Sequence, residues 1–352
     1  MSRFFSNKHK KLIPYTPGEQ PKDMKYIKLN TNESPYPPSQ KAIEEASKEA
    51  ELLRLYPDPE CTLLREDIAA YYGVGKENMV LSNGSDEILN FAFIAYGDSD
   101  HPFVFPDITY GFYNVFAEVN NIPYEEIPLE NDFTIDFDKY CGIGKNIVIA
   151  NPNAPTGIFA PLTEIERVAK TNPDNIVIVD EAYVDFGGET AIPLTKKYKN
   201  LIVVQTFSKS RSMAGARLGF CVACEELCQD LNTIRYSVNP YNINRMTMAA
   251  GRSAICDKEY FEHNRQEIIK TREKTAAALR EMGFTLTDSK ANFLFAKSDR
   301  ISGEELYKKL RENGILVRHF NGERIREYNR ITIGTPSDME TFVNTVKNIL
   351  ED

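Results

Sequence analysis

The chain is 352 residues long, with 42% hydrophobic and 26% charged residues and a formal net charge of −9. That composition describes a globular chain long enough for two domains, and its acidity argues against a nucleic-acid binder. No stretch approaches the ~18 apolar residues of a membrane span, and the basic start from Arg3 to Lys11 lacks the apolar run of a secretory signal. Six cysteines without such a signal are expected to be reduced thiols in the cytoplasm. Cys221, Cys224 and Cys228 have a spacing that invites a metal reading, but no fourth ligand or nearby histidine completes a zinc set. They are expected to be small buried hydrophobes.

Residues 1–28 are polar and punctuated by Pro14, Pro17 and Pro21, which predicts an extended arm. A Pro-rich turn leads to an amphipathic helix over about 40–54, and a second helix runs to about Tyr72. From there to about 235 short apolar runs alternate with helical patterns. Strands are predicted at 79–82, 103–106, 124–129, 146–150, 176–179, 201–204 and 218–223, with helices after Ser85 and over 110–119, 163–170 and 225–236. Continuous apolar strands between helices imply an α/β fold with a mostly parallel sheet covered on both faces. The last third predicts a long charged helix over 258–282 and a smaller α+β set: strands at 292–296, 315–318 and 330–333, helices at 303–313 and 337–350. The expected organisation is an arm (1–28), a large domain (51–239) and a small domain (29–50 with 240–352).

The strand ends of such a sheet are where ligands bind, and four of them carry suggestive groups. Lys209 lies in a loop of small residues after the apolar run 201–204, with Arg217 eight positions on. A partly desolvated lysine beside cationic groups can attack a carbonyl as a neutral amine. Gly84-Ser85-Asp86 opens a helix, which suits a phosphate, although simple N-capping by Ser85 is an alternative. Asn153 follows Asn151-Pro152 at a second strand end, and Asp180 ends a very apolar strand with Tyr183 three residues later. A carboxylate there is costly unless something cationic faces it, though it could also cap the next turn. Pyridoxal phosphate would account for all of these groups together. It has an aldehyde for Lys209, a ring nitrogen for Asp180, a phenolic oxygen needing donors, and a phosphate for a helix end and an arginine.

The stretch Thr206-Phe207-Ser208-Lys209-Ser210-Arg211-Ser212-Met213-Ala214-Gly215-Ala216-Arg217 resembles the lysine signature of class II aminotransferases, within fold type I of the pyridoxal-phosphate enzymes. Further segments resemble histidinol-phosphate aminotransferases: Pro14-Tyr15-Thr16-Pro17-Gly18, Leu29-Asn30-Thr31-Asn32-Glu33, Tyr56-Pro57-Asp58, Tyr110-Gly111, Asn151-Pro152-Asn153, Asp180-Glu181-Ala182-Tyr183 and Arg330-Ile331-Thr332-Ile333-Gly334. The resemblance implies the following roles. Lys209 carries the cofactor as a Schiff base and moves the substrate proton, and Asp180 holds the ring nitrogen protonated. Asn153 and Tyr183 bond the phenolic oxygen, and Tyr110 stacks on the ring. Thr206, Ser208, Arg217 and the Gly84-Ser85-Asp86 backbone surround the phosphate. Tyr56 reaches that phosphate from a second subunit, so a homodimer is implied. Arg330 binds the α-carboxylate of glutamate, and Arg330, Arg318, Tyr15 and Asn32 form the substrate region.

Four positions depart from the family pattern. Ala154 stands where a second Asn is common and is expected not to affect the cofactor; Arg211 stands where an aromatic is common and could alter the charge balance near the lysine loop; Ser34 and Pro38 replace Asn and Gly. The implied reaction is transfer of the amino group of L-histidinol phosphate to 2-oxoglutarate. Threonine-phosphate decarboxylation and aromatic amino acid transamination remain same-fold alternatives, and a non-catalytic cofactor-binding regulator is an alternative of another class.

Overall fold

The computed structural model describes residues 2–351; Met1 and Asp352, the outermost residues of the expected arm and small domain, lie outside the described residues. The arm is mostly irregular and exposed, and it ends in a short strand β1 (Ile27–Lys28). Helices α1 (Gln40–Glu49) and α2 (Thr62–Tyr72) follow; Ser39 caps α1 by accepting from the Ala42 N–H, and Gly73 ends α2 at a φ of +64° that favours glycine. Then come β2 (Met79–Ser82), α3 (Ser85–Tyr96), β3 (Phe103–Pro106), α4 (Tyr113–Asn120), β4 (Tyr124–Ile127), β5 (Asn146–Ala150), α5 (Leu162–Thr171), β6 (Val177–Asp180), β7 (Leu201–Thr206), β8 (Gly219–Val222) and α6 (Glu225–Val238).

β2 through β8 form one seven-stranded sheet in the order β2-β8-β7-β6-β5-β3-β4. It is parallel except that β8 runs antiparallel to both β2 and β7. The reason for the continuous apolar runs is visible in the packing. Ile147, Ile149, Val177, Val179, Leu201 and Val203 point into one core, while Val148, Ile178, Ile202 and Val204 point into the other. Period-two alternation feeds two helical layers, so neither face can be polar. Cys221 and Cys228 are buried in the second of these cores.

Helices α7 (Arg245–Cys256) and α8 (Lys258–Glu281) lead to β9 (Phe284–Leu286), β10 (Phe293–Ser298), α9 (Gly303–Glu312), β11 (Ile315–Leu316), β12 (Arg318–His319), β13 (Asn329–Thr332) and α10 (Pro336–Glu351). β12-β13-β10-β9 form an antiparallel sheet, and β11 instead pairs in parallel with β1. The single strand expected at 315–318 is therefore two, because the chain changes partner at Val317. Three sequence expectations change here. Helix α7 and strand β9 had no predicted counterpart. The helix expected from Tyr110 begins at Tyr113, which leaves Tyr110 in a turn. The domain boundary also moves: Ala42 of α1 and Ala250, Ala254 and Ile255 of α7 pack into the core of the large sheet. The core of the smaller unit is built from α8, the β10-containing sheet, α9 and α10, with Leu29 inserted from the end of the arm.

Candidate active site

A cleft of ≈ 370 Å³ lies at the C-terminal ends of β5, β6 and β7, lined by Lys209, Asp180, Tyr183, Tyr110, Ser208 and Arg217 among others. A larger cavity of ≈ 720 Å³ shares Lys209, Tyr110 and Tyr183 and extends to Tyr15, Arg318 and Arg330. Both fall in the size range of small-molecule sites.

Lys209 leaves β7 through Thr206-Phe207-Ser208 and turns its Nζ toward the carbonyl of Thr31, to which it donates at 3.2 Å. Burial and the nearby Arg330 bring its ammonium down to about 8, with Arg217 acting in the same direction and Glu33 and Asp86 opposing. Asp180, the last residue of β6, is buried; its Oδ2 accepts from the Tyr113 hydroxyl at 2.8 Å and its Oδ1 from the Ala182 N–H at 3.2 Å. Burial raises this carboxyl to about 6, and the two hydrogen bonds only partly offset that. The group is a buried carboxylate held by neutral donors, which suits a cationic ligand atom. Tyr113 was not foreseen. It stands three residues after Tyr110, and an inward-facing tyrosine on a helix needs an acceptor.

The turn between β2 and α3 forms the far end of the cleft. Gly84 has a φ of +82°, and a Cβ on it would stand 2.5 Å from Nη2 of Arg217. Gly219 likewise lets β8 approach the first N–H of α3, since its Cβ would lie 2.5 Å from the Ser85 nitrogen. The missing side chains bring the start of α3, Arg217 and Ser208 together. Arg217 bonds Asp86 at 3.0 Å and Ser208 Oγ at 3.5 Å, and Thr206 Oγ1 donates to Ser208 Oγ at 2.9 Å. The Tyr110 hydroxyl donates to the other oxygen of Asp86 at 2.8 Å. The free N–H groups of a helix start beside a guanidinium and two hydroxyls form a cradle for a phosphate.

The substrate side is cationic. Arg330 bonds the carbonyl of Asn30 at 3.1 Å while its Nε has no partner. Arg318 reaches the carbonyls of Thr16 and Pro17 at 3.3 and 3.5 Å. Tyr15 packs on Phe112 with ring centroids 4.3 Å apart, so the arm forms one wall of the cavity.

Several expected residues behave differently. Asn153 does not line the cofactor cleft: its amide donates to Ile108 O and Thr156 Oγ1 at 2.9 and 3.1 Å and accepts from Thr109 at 2.7 Å. With both ends of that amide used by Thr156 of its own loop and by Ile108 and Thr109 of the loop after β3, it has no donor left for a ligand. Ala154, expected not to affect the cofactor, lines the cleft together with Pro152 of the same loop. Arg211 lies off the cleft, with its guanidinium 3.6 Å from the Phe261 ring and 4.9 Å from the Tyr71 ring, so it holds α8 and α2 rather than adjusting the charge of the site. Asn32 is buried at the floor of the larger cavity, and its amide is bonded to Tyr183 and Thr332 instead of facing a substrate. Tyr56, by contrast, was expected to serve a second subunit and not its own cleft; it is 78% exposed, stacks on Tyr241 at 4.5 Å and does not line the cleft of its own chain.

The residues therefore fit a planar ligand with an aldehyde, a basic ring nitrogen and a phosphate. A carboxyl lacking a cationic partner, an amine of lowered pKa and a glycine-opened anion cradle lie in one cleft. Comparison with known proteins agrees. The profile of the family described as aminotransferase class I and II matches residues 24–346. The chain is 50% identical over 356 aligned residues to a histidinol-phosphate aminotransferase of Brachyspira hyodysenteriae, covering 100% of both. It is 47% identical to one of Clostridium acetobutylicum, covering 99% of this chain and 100% of that one. The fold is similar to the crystal structure of histidinol-phosphate aminotransferase from Sinorhizobium meliloti in complex with pyridoxal-5'-phosphate, with a TM-score of 0.86, 21% identity, and 93% and 92% of the two chains covered. This chain belongs to the class I and II aminotransferase family.

Proposed function

We propose that the protein is a pyridoxal-phosphate-dependent aminotransferase that moves the amino group of L-histidinol phosphate to 2-oxoglutarate. The observation that carries this reading is the pair Arg318 and Arg330 above Lys209, which gives the cleft two cations for an anionic substrate. The curated relatives named above supply the identity of the amino donor.

Pyridoxal phosphate, when bound, supplies an aldehyde that condenses with amines and a ring that accepts the electrons released when a proton leaves the adjacent carbon. Lys209 Nζ is the amine that would hold it. Once displaced by substrate, an amine whose pKa is about 8 can take a proton from the substrate carbon and return it nearby. Asp180 would pair with the protonated ring nitrogen, and the Tyr183 hydroxyl would donate to the phenolic oxygen. Arg217, Ser208, Thr206 and the N–H groups at the start of α3 would take the phosphate, and Tyr110 would cover the ring. Arg330, with Arg318 and Tyr15, would bind the phosphate of histidinol phosphate in one half-reaction and a glutamate carboxylate in the other. A guanidinium serves both anions because each offers two coplanar oxygens.

We also place the protein in a homodimer. Leu53, Leu55, Tyr56, Val238 and Tyr241 are all more than 40% exposed, an apolar surface around the loop that carries Tyr56. A second copy would cover it and bring Tyr56 toward the neighbouring phosphate cradle. Six free cysteines suit a reducing compartment, and we assign the cytoplasm.

The reading is tested by incubating holoenzyme with 2-oxoglutarate and, separately, L-histidinol phosphate, phenylalanine or phosphothreonine. Glutamate should form fastest with histidinol phosphate. Release of CO2 from phosphothreonine, or faster glutamate formation with phenylalanine, would replace the substrate assignment.

A further inference from the structure

The wall of the cofactor cleft beside Tyr183 is short of donors. Ala154 and Ala182 contribute methyl groups there, so Tyr183 is the one side-chain donor on that wall among the described residues. Whether its hydroxyl donates into the cleft depends on where its proton points.

Tyr183 is buried, and its oxygen accepts from Asn32 Nδ2 at 2.9 Å. Asn32 in turn is fixed from the smaller unit. Its own N–H donates to Thr332 Oγ1 at 2.9 Å, and the Thr332 hydroxyl donates back to Asn32 Oδ1 at 3.0 Å. The Asn32 carbonyl accepts from Asn292 Nδ2 at 3.0 Å, and the Thr332 N–H donates to Leu29 O at 2.9 Å. Asn32 adopts a φ of +56°, a left-handed conformation that these bonds hold in place.

The direction of each bond follows from the last. A hydroxyl that already accepts from the Asn32 N–H has its own proton to give, and the nearest acceptor is Asn32 Oδ1. That sets the amide with Nδ2 toward Tyr183. A phenol that receives a donor at its oxygen keeps its own proton for another acceptor. Among the described residues that proton has no protein acceptor.

We propose that Thr332 and Asn32 are positioning residues that fix the Tyr183 hydroxyl so that its proton is presented to the phenolic oxygen of the bound cofactor. The proposal rests on the cofactor assignment above. Its consequence is mechanical coupling: the relay starts on β13, the strand that carries Arg330, and ends beside Lys209. Burial raises the Tyr183 pKa, and the Arg330 charge and the donation from Asn32 each pull it part of the way back, which strengthens the phenol as a donor.

The readout is the pH midpoint at which the visible band of the lysine-bound cofactor changes, measured without substrate. A donor to the phenolic oxygen lowers that midpoint. Arg330, Asp180 and Asp86 bear on Tyr183, and Arg330, Glu33, Asp86 and Arg217 on Lys209; all are unchanged in the variants used. Thr332→Val should raise the midpoint by about one pH unit, the equivalent of one hydrogen bond, and Thr332→Ser should restore it. Tyr183→Phe should raise it as well, and adding Thr332→Val to Tyr183→Phe should then have no further effect. Asn32→Gly, which tolerates the left-handed backbone, serves as a second variant if valine at 332 does not fold. An unchanged midpoint in the folded variant, or an equal shift in the Tyr183→Phe background, would overturn the relay. A wild-type protein without any yellow band would instead overturn the cofactor assignment beneath it.

Discussion

Arg318 and Arg330 stand directly opposite each other across the antiparallel pair β12 and β13. Like charges in that position repel, and both arginines bond main-chain carbonyls rather than carboxylates. The sheet holds two cations together at the mouth of the cleft, an arrangement that an anionic substrate relieves. Arg318→Gln should therefore raise the melting temperature of the ligand-free protein slightly while raising the KM for the phosphorylated amine. Sulfate should stabilise the wild type more than this variant, which a thermal melt with and without sulfate measures.

Arg330→Ala should weaken both half-reactions, because one guanidinium serves both anions. Loss of a charge-assisted hydrogen bond of ~1.5–3 kcal/mol corresponds to a rise of about 10- to 100-fold in KM for glutamate and for histidinol phosphate alike. Steady-state kinetics with each substrate varied separately decide this; an effect on only one would show that the anions use different residues.

The lowered pKa of Lys209 predicts a pH dependence with a definite sign. The rate at which apoenzyme takes up pyridoxal phosphate should rise with pH through about 8, as the Nζ becomes neutral. Arg330→Gln should move this profile upward, since Arg330 is one of the groups that depress the ammonium. Stability follows the same group. Between about 8 and the usual lysine pKa the unfolded chain binds more protons than the folded one, so the penalty for burying the charged Lys209, carried in full below about 8, is relieved as pH rises through that window and apoenzyme stability rises with it. Stopped-flow absorbance over pH 6 to about 10 measures the uptake directly.

Asp180 has the opposite character. Its folded pKa of about 6 lies above the ordinary carboxylate value, so the ligand-free fold loses stability as pH rises from about 4 to 6 and carries the full penalty above it. Asp180→Asn should therefore leave the apoenzyme as stable as the wild type or more so at neutral pH. Its turnover should fall by about two orders of magnitude or more, because the ring nitrogen loses its anion. Denaturant melts and kcat on the same preparation separate the two effects, and retained kcat would remove Asp180 from the chemistry.

Much of this was legible in the sequence. The apolar runs from Met79 to Val222 predict the sheet because both of its faces are buried, so each strand is continuously hydrophobic. That Lys209, Asp180 and Arg217 line one cleft was legible for a related reason: all three stand at the ends of buried apolar runs, where an open α/β sheet forms its ligand crevice. Side-chain direction was not legible. Whether Asn153 or Ala154 faces the cleft depends on a turn of one residue, and the bonds from Asn153 to Ile108 and Thr109 come from a loop more than 40 positions away. Helix α7 was missed because its buried face, Thr247, Ala250, Gly251 and Ala254, is made of small residues that give a weak apolar signal. The contacts of Asn32 and Thr332 span 300 positions, and no local pattern announces them.

The dimer is tested by complementation. Lys209→Ala and Tyr56→Ala subunits, each impaired alone, should regain activity when unfolded and refolded together, because a mixed dimer contains one site with both residues intact. No recovery in a verified mixed dimer would place Tyr56 outside the neighbouring site.

The most direct test of the central claim is a single-turnover spectrum of the yellow holoenzyme mixed with L-histidinol phosphate in the absence of 2-oxoglutarate. The account predicts rapid loss of the yellow band, stoichiometric release of the corresponding ketone phosphate, and return of the band when 2-oxoglutarate is added. A band that is unchanged by histidinol phosphate but bleached by phenylalanine or glutamate alone would contradict the assigned amino donor while leaving the aminotransferase in place.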